Sequence, residues 1–103
     1  MVLGNLPTTL HFSATAGANL VAAVTGQRIN ILALHLSSTA DVIVGLEDSA
    51  TSANKRFTID APTAAYNLPF SEYGWGKTAV DEGLDITVGG VATVTGILVY
   101  VQA

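Results

Sequence analysis

Clusters of turn formers cut this chain into short apolar runs from one end to the other, and that spacing leaves little room for anything but strands. TGQ at 25–27, SSTA at 37–40, EDSATSAN at 47–54, DAPTA at 60–64, SEYGWGKTAVDEG at 71–83 and GG at 89–90 are all rich in Gly, Ser, Thr, Asn or Asp. The runs between them are dominated by Val, Ile, Leu, Ala and Thr, and β-branched side chains suit a pleated surface. The one stretch with helical composition, ATAGANLVAAVTG at 14–26, holds two glycines and β-branched residues and sustains no apolar stripe of helical period. Eight strands are expected: Thr8–Ala14, Asn19–Val24, Arg28–Ser37, Asp41–Leu46, Lys55–Ile59, Tyr66–Phe70, Leu84–Val88 and Ala92–Gln102. Short strands with turns roughly every 8–12 residues indicate an antiparallel β-sandwich, most economically an eight-stranded jelly roll. An immunoglobulin-type sandwich is disfavoured, because there is no Cys pair and the single Trp lies in a turn-rich segment. The domain is expected over residues 10–103, preceded by an extended arm over 1–9 in which Pro7 favours an open backbone.

Charge narrows the function further. Only 12 % of the 103 residues are charged, and the net charge is −4. Arg28, Lys55, Arg56 and Lys77 are the whole basic complement, too few and too scattered to displace counterions from a nucleic acid. The absence of cysteine removes disulfides, thiolate metal sites and Cys nucleophiles. MVLGNLPTTLHF lacks the basic start and apolar run of a signal peptide, and no stretch approaches the roughly 20 apolar residues of a membrane span. The expectation is a chain made in the cytoplasm that stays there or leaves as part of a particle. A surface so poor in charge points to a partner that covers part of it.

Two strands sharpen this. Period-two alternation places Ile29, Ile31, Ala33 and His35 on one face of the third strand and Leu32, Leu34 and Leu36 on the other. In the last strand Val91, Thr93, Thr95, Ile97, Val99 and Val101 oppose Ala92, Val94, Gly96, Leu98 and Tyr100. A two-layer sandwich buries one face of each sheet. If both faces are apolar, a second copy of the chain is the simplest cover, so a homo-oligomer is expected.

Residues capable of chemistry are few. Glu72, Asp81, Glu82 and Asp85 could supply oxygen ligands, but DEGLD lacks the alternation of a calcium loop and reads better as solvated turn carboxylates. Glu47 and Asp48 read as charges at a hairpin tip. His11 and His35 fall in separate strands with no neighbouring ligand, which suits hydrogen-bonded structural groups with a minor interface role. No nucleophile elbow, phosphate loop or zinc-protease motif occurs. Glu72 and Asp81 are the one conceivable carboxylate pair for glycoside hydrolysis, and a small sandwich offers them little cleft. No enzymatic activity, cofactor or metal is expected. Trp75, with Tyr73 and Phe70 nearby, has three readings: it plugs one end of the sandwich against Pro69, Phe70 and Leu84, it anchors a neighbouring protein, or it stacks on a sugar. The candidate oligomer or partner interface comprises Trp75, Tyr73, Phe70, Leu32, Leu34, Leu36 and Tyr100.

One set of residues carries a resemblance: Ala22, Ala23, Val24, Gly26, Arg28 and Ile29, then Leu68, Pro69, Phe70, Gly74, Trp75, Thr78, Gly83 and Leu84, then Val94, Gly96, Leu98 and Tyr100. Over roughly residues 15 to 102 this pattern resembles a recurrent class of small phage virion proteins. The resemblance implies a jelly-roll or similar sandwich that decorates a capsid as a cement protein, often as a trimer, and clamps neighbouring major capsid proteins. It implies no catalytic residue. The segment ATSANKRF at 50–57 is longer than in shorter members of that class and is a candidate contact with the shell. A tail or fibre module that binds host glycans through Trp75 and Tyr73, and a lectin-like domain unconnected with any virus, are the alternatives.

Overall fold

The computed structural model describes residues 6–50, 55–60 and 62–103. The described chain forms strands β1 (Thr8–Ala14), β2 (Ala18–Val21), β3 (Ile29–Ser38), β4 (Ile43–Asp48), β5 (Lys55–Asp60), β6 (Tyr66–Leu68), β7 (Gly76–Lys77), β8 (Leu84–Val88) and β9 (Val94–Gln102), with one 3₁₀ turn at Pro62–Ala64. They make two antiparallel sheets, ordered β1-β9-β3-β6 and β2-β8-β4-β5, with β7 added on β3. This interleaving, in which consecutive strands mostly pass from one sheet to the other, is jelly-roll order. The expected all-β sandwich is thus present, and the short β7 inside the Trp75 segment is the one strand that the spacing of turns does not reveal. Strand β6 stops at Leu68 rather than Phe70, since Pro69 has no N–H to give to a ladder.

The core lies between the sheets. Ile29, Ile31, Leu34, Leu36, Val94 and Leu98 from the first sheet meet Val44, Leu46, Ile59, Leu84 and Ile86 from the second. Gly96 sits at the centre of the first sheet because nothing larger fits: a Cβ there would meet the His35 carbonyl oxygen, lie 2.7 Å from Phe12 Cζ and 2.8 Å from Leu36 Cβ.

Three bulges decide which side chains reach the core, one between β2 and β8 that brings in Val21 and the two described next. Between β3 and β9 the register runs Ile31↔Tyr100 and then Ala33↔Val99, so Leu32 is the extra residue. One inserted residue flips the parity of everything beyond it. Ile29 and Ile31 before the bulge, and Leu34 and Leu36 after it, therefore all point inward, leaving Ala33, His35 and Ser37 on the outside. This corrects the doubly apolar reading of that strand. Leu34 and Leu36 are buried in the chain's own core, and Leu32 is buried outside that cluster. None of the three is available to a partner. Tyr100 is half-buried and packs on the same core. The reading survives for β9, whose outer face carries Thr95, Ile97, Val99 and Val101 opposite inward Val94, Leu98 and Tyr100.

The second bulge lies between β4 and β5, where Leu46↔Phe57 is followed by Glu47↔Lys55 and Arg56 is the extra residue. Its guanidinium donates from Nε to Asp48 Oδ1 at 2.8 Å and from Nη2 to Asp48 Oδ2 at 2.6 Å. Glu47 and Asp48 are therefore not a hydrated hairpin tip. Both are buried, because β4 continues through them and each finds a cation on β5. The hydrogen bond to Asp48, followed by its charge, raises the Arg56 pKa above the ordinary value. That contribution to stability is fully present at neutral pH and is lost only in strong alkali.

Candidate functional site

The segment 69–83 runs along the free edge of β3, held by its backbone. Ser71 N donates to Leu32 O, Trp75 N to Ile31 O and Thr78 N to Ile29 O. Thr78 Oγ1 also accepts from Ile29 N at 2.9 Å and donates to Glu82 O at 3.2 Å. Gly74 turns this segment at φ 83°, and a Cβ there would strike the Asn30 side chain. This fastening leaves the aromatic side chains outside. Tyr73 is 82 % exposed, Phe70 57 % and Trp75 44 %. Trp75 does not plug the sandwich: its indole N–H donates to Pro69 O at 2.7 Å while much of the ring faces solvent. Three aromatics on a pinned loop form a stiff apolar patch at the edge of the first sheet.

The turn carboxylates serve the fold individually rather than gathering around an ion. Asp81 Oδ1 accepts from Gly26 N at 2.6 Å, Glu82 Oε1 from Ala50 N at 2.7 Å, and Asp85 Oδ1 from Asn19 Nδ2 at 2.8 Å. Among the described residues no group of three or more His, Asp or Glu is placed to hold a metal. Asp81 is tied to the 25–27 turn, by its carboxylate to Gly26 and by its N–H to Gln27 O, so it is spoken for in any pairing with Glu72. The expected N-terminal arm lies mostly in residues 1–5, and the expected shell-contacting loop largely in 51–54, both outside the described residues.

Topology brings together two residues that the sequence keeps apart. His11 pairs with Ile97 from one side, and His35 pairs with Ile97 from the other, with Asn67 next to His35. All four are exposed on the outer face of the first sheet. This overturns the reading of the histidines as structural groups on an apolar face. No spacing in the sequence predicts it, since the row depends on β9 running between β1 and β3. Moreover, β1, β9, β3 and β6 contain no Asp, Glu, Lys or Arg at all. The second sheet holds Glu47, Asp48, Lys55, Arg56, Asp60 and Asp85.

No family model and no curated protein matches the chain. Among solved structures it is similar to the cryo-EM structure of the extra small virus virus-like particle of the giant freshwater prawn Macrobrachium rosenbergii, at 16 % identity and a TM-score of 0.40, over 98 % of this chain and 81 % of that one. The jelly-roll assignment rests on the strand order itself.

Proposed function

We propose that this chain is a structural, non-enzymatic virion protein of the capsid decoration type: a self-associating jelly roll that sits on a phage head and stabilises it by binding the major capsid protein. The observation that carries this reading is the run of Leu68, Pro69, Phe70, Gly74, Trp75, Thr78, Gly83 and Leu84, which resembles small phage virion proteins and here builds a rigid loop presenting three exposed aromatics. Trp and Tyr are favoured anchors at the centres of protein contacts. By the same resemblance the self-associated form is a trimer, located on the capsid surface after synthesis in the host cytoplasm. The arm at 1–9 and the loop at 50–57 are the segments assigned to reach the shell. Neither nucleic acid nor membrane is a partner in this reading. Binding to the assembled shell in preference to its dissociated subunits stabilises the particle by mass action.

The test is fractionation of purified particles into heads and tails, probed for this chain, with thermal disruption of heads that contain or lack it. The protein should travel with heads at a copy number matching capsid symmetry, and heads without it should break at lower temperature. Its presence in tails alone would refute the decoration role. The exposure of Tyr73 and Trp75 favours one second reading, a tail or fibre module that stacks on a glycan. Titration with cell-surface sugars should then change Trp75 fluorescence, and sugar binding unaltered by Trp75→Ala would exclude that reading.

A further inference from the structure

The row His11–Ile97–His35–Asn67 crosses the middle of the outer face of the first sheet. Thr9, Val99 and Ala33 form the row on one side of it, and Ser13, Thr95 and Ser37 the row on the other. The charged groups of this face lie at one end of it: Lys77 on β7, which pairs with the outward Asn30, and Arg28, which pairs with Ala103 one step beyond, with Glu72 on the loop beside β3. Tyr66 and Tyr100, the ionisable phenols of these strands, pack against the core instead. We propose that this face is the contact between copies of the chain, and that His11 and His35 make the contact depend on pH. The proposal deepens the self-association in the functional reading above and names its surface and its control.

Charge favours a second copy as the occupant. Each chain carries a net −4, so two copies repel wherever their carboxylates approach. Symmetric contacts bring the same patch to both sides, and the patch must tolerate itself. A face whose central rows carry no formal charge, with Lys77 and Arg28 only at one end, meets that condition. The outer face of the second sheet, with Glu47 opposite Asp85, does not. The uncharged central rows also give a charged partner little to select. Its size is adequate: β1, β9, β3 and β6 have 7, 9, 10 and 3 residues, which at ~3.3 Å per residue and ~4.8 Å per strand give a face of roughly 460 Å². Two such faces bury on the order of 1,000 Å², the level at which specific association begins. Ile97, Val99 and Val101 supply the apolar centre, and Thr and Ser hydroxyls surround it.

The two histidines turn that contact into a switch. Within one chain they stand on either side of β9, with backbones about 10 Å apart across two strand spacings. A facing copy brings a second pair to the same surface. Neutral imidazole can be withdrawn from water inside such a contact, whereas imidazolium without a carboxylate partner cannot. The associated form then binds fewer protons than the free chains. Association is accordingly strongest with both histidines neutral and weakens as acidification protonates them.

The experiment is sedimentation velocity with light scattering on the whole chain at micromolar concentration, at about pH 7.5 and about pH 5.5, with far-UV circular dichroism as the check on folding. The wild type should be multimeric at the higher pH, and its dissociation constant should rise by at least about tenfold at the lower one. The double variant His11→Gln, His35→Gln should associate equally at both. Ile97→Lys should be folded and monomeric, while Thr58→Lys, exposed on the outer face of the second sheet, should remain multimeric. A monomeric wild type at the higher pH, a multimeric Ile97→Lys or a monomeric Thr58→Lys would each overturn the contact. Association of the wild type that is indifferent to pH would overturn the switch. A chain that binds heads yet stays monomeric refutes this contact alone, and one that associates as described yet is missing from heads refutes the virion reading alone.

Discussion

Each outer face of the sandwich carries a cross-strand row, and the two rows are opposites. On the first sheet His11, Ile97, His35 and Asn67 stand side by side without a formal charge. On the second, Asn19, Asp85, Glu47 and Lys55 occupy the corresponding line, with two carboxylates directly across from each other. Like charges facing across a ladder are unfavourable, and here they are held by Asn19 Nδ2 on Asp85 at 2.8 Å and Lys55 Nζ on Glu47 at 2.9 Å. The second face satisfies its polar groups within the chain and needs only water beyond it. The first exposes an aliphatic stripe of Ile97, Val99 and Val101 instead, the surface proposed above as the contact between copies. A chain with so few charges has gathered most of those in its strands onto one of its two sheets.

The contrast can be broken most severely at the inner end of the second face. Asp48 has no exposed side-chain surface, and it accepts from Arg56 twice and from Ala79 N at 3.2 Å. Asp48→Ala should strand the Arg56 charge and cost about 3–5 kcal/mol in urea unfolding at neutral pH. Replacing the pair together, Asp48→Leu with Arg56→Met, should restore much of that loss. A loss from Asp48→Ala below about 1 kcal/mol would mean that these charges matter no more than surface ones.

The next largest effect belongs to the first sheet and is steric rather than electrostatic. Gly96→Val should destabilise by about 1–3 kcal/mol, since the new side chain must displace Phe12, Leu36 and the β3 backbone. Its urea midpoint should fall, and a wild-type midpoint would show that the two sheets are not packed as closely here as described. Lys55→Ala, which leaves the buried Glu47 without its cation and facing Asp85, should cost about 1–2 kcal/mol, moderated by the half-exposed position of Lys55. Raising the salt concentration should shrink that difference. Trp75→Ala should have the smallest effect on folding, within about 0.5 kcal/mol for a surface position. A loss of several kcal/mol would restore the end-plug reading and remove the aromatic loop from the contact surface.

The legible part of the fold was its rhythm. Thr8–Ala14 and Leu84–Val88 appear in the structure with the boundaries that alternation and turn residues predict, and most other strands shift by only a few residues. β7 escaped because two residues carry no period, and its pairing is supplied wholly by the β3 edge. Glu47 and Asp48 were misread for a related reason. Two acids before a Ser- and Asn-rich stretch look like a solvent-facing tip unless the cations across the hairpin are known to close on them.

The sequence by itself determined that the chain would be an all-β sandwich, since β-branched runs of this length between Gly- and Ser-rich turns have few other ways to bury apolar surface. It also determined that the chain holds no cysteine for a disulfide or a thiolate site. Only the tertiary structure decided which face each residue serves. A single inserted residue at Leu32 reverses the parity of a strand, and a second at Arg56 turns a surface cation toward a buried acid. Likewise His11 and His35, 24 positions apart, become neighbours of one isoleucine because β9 threads between their strands. Register is a property of pairs of strands, so no reading of one strand at a time contains it.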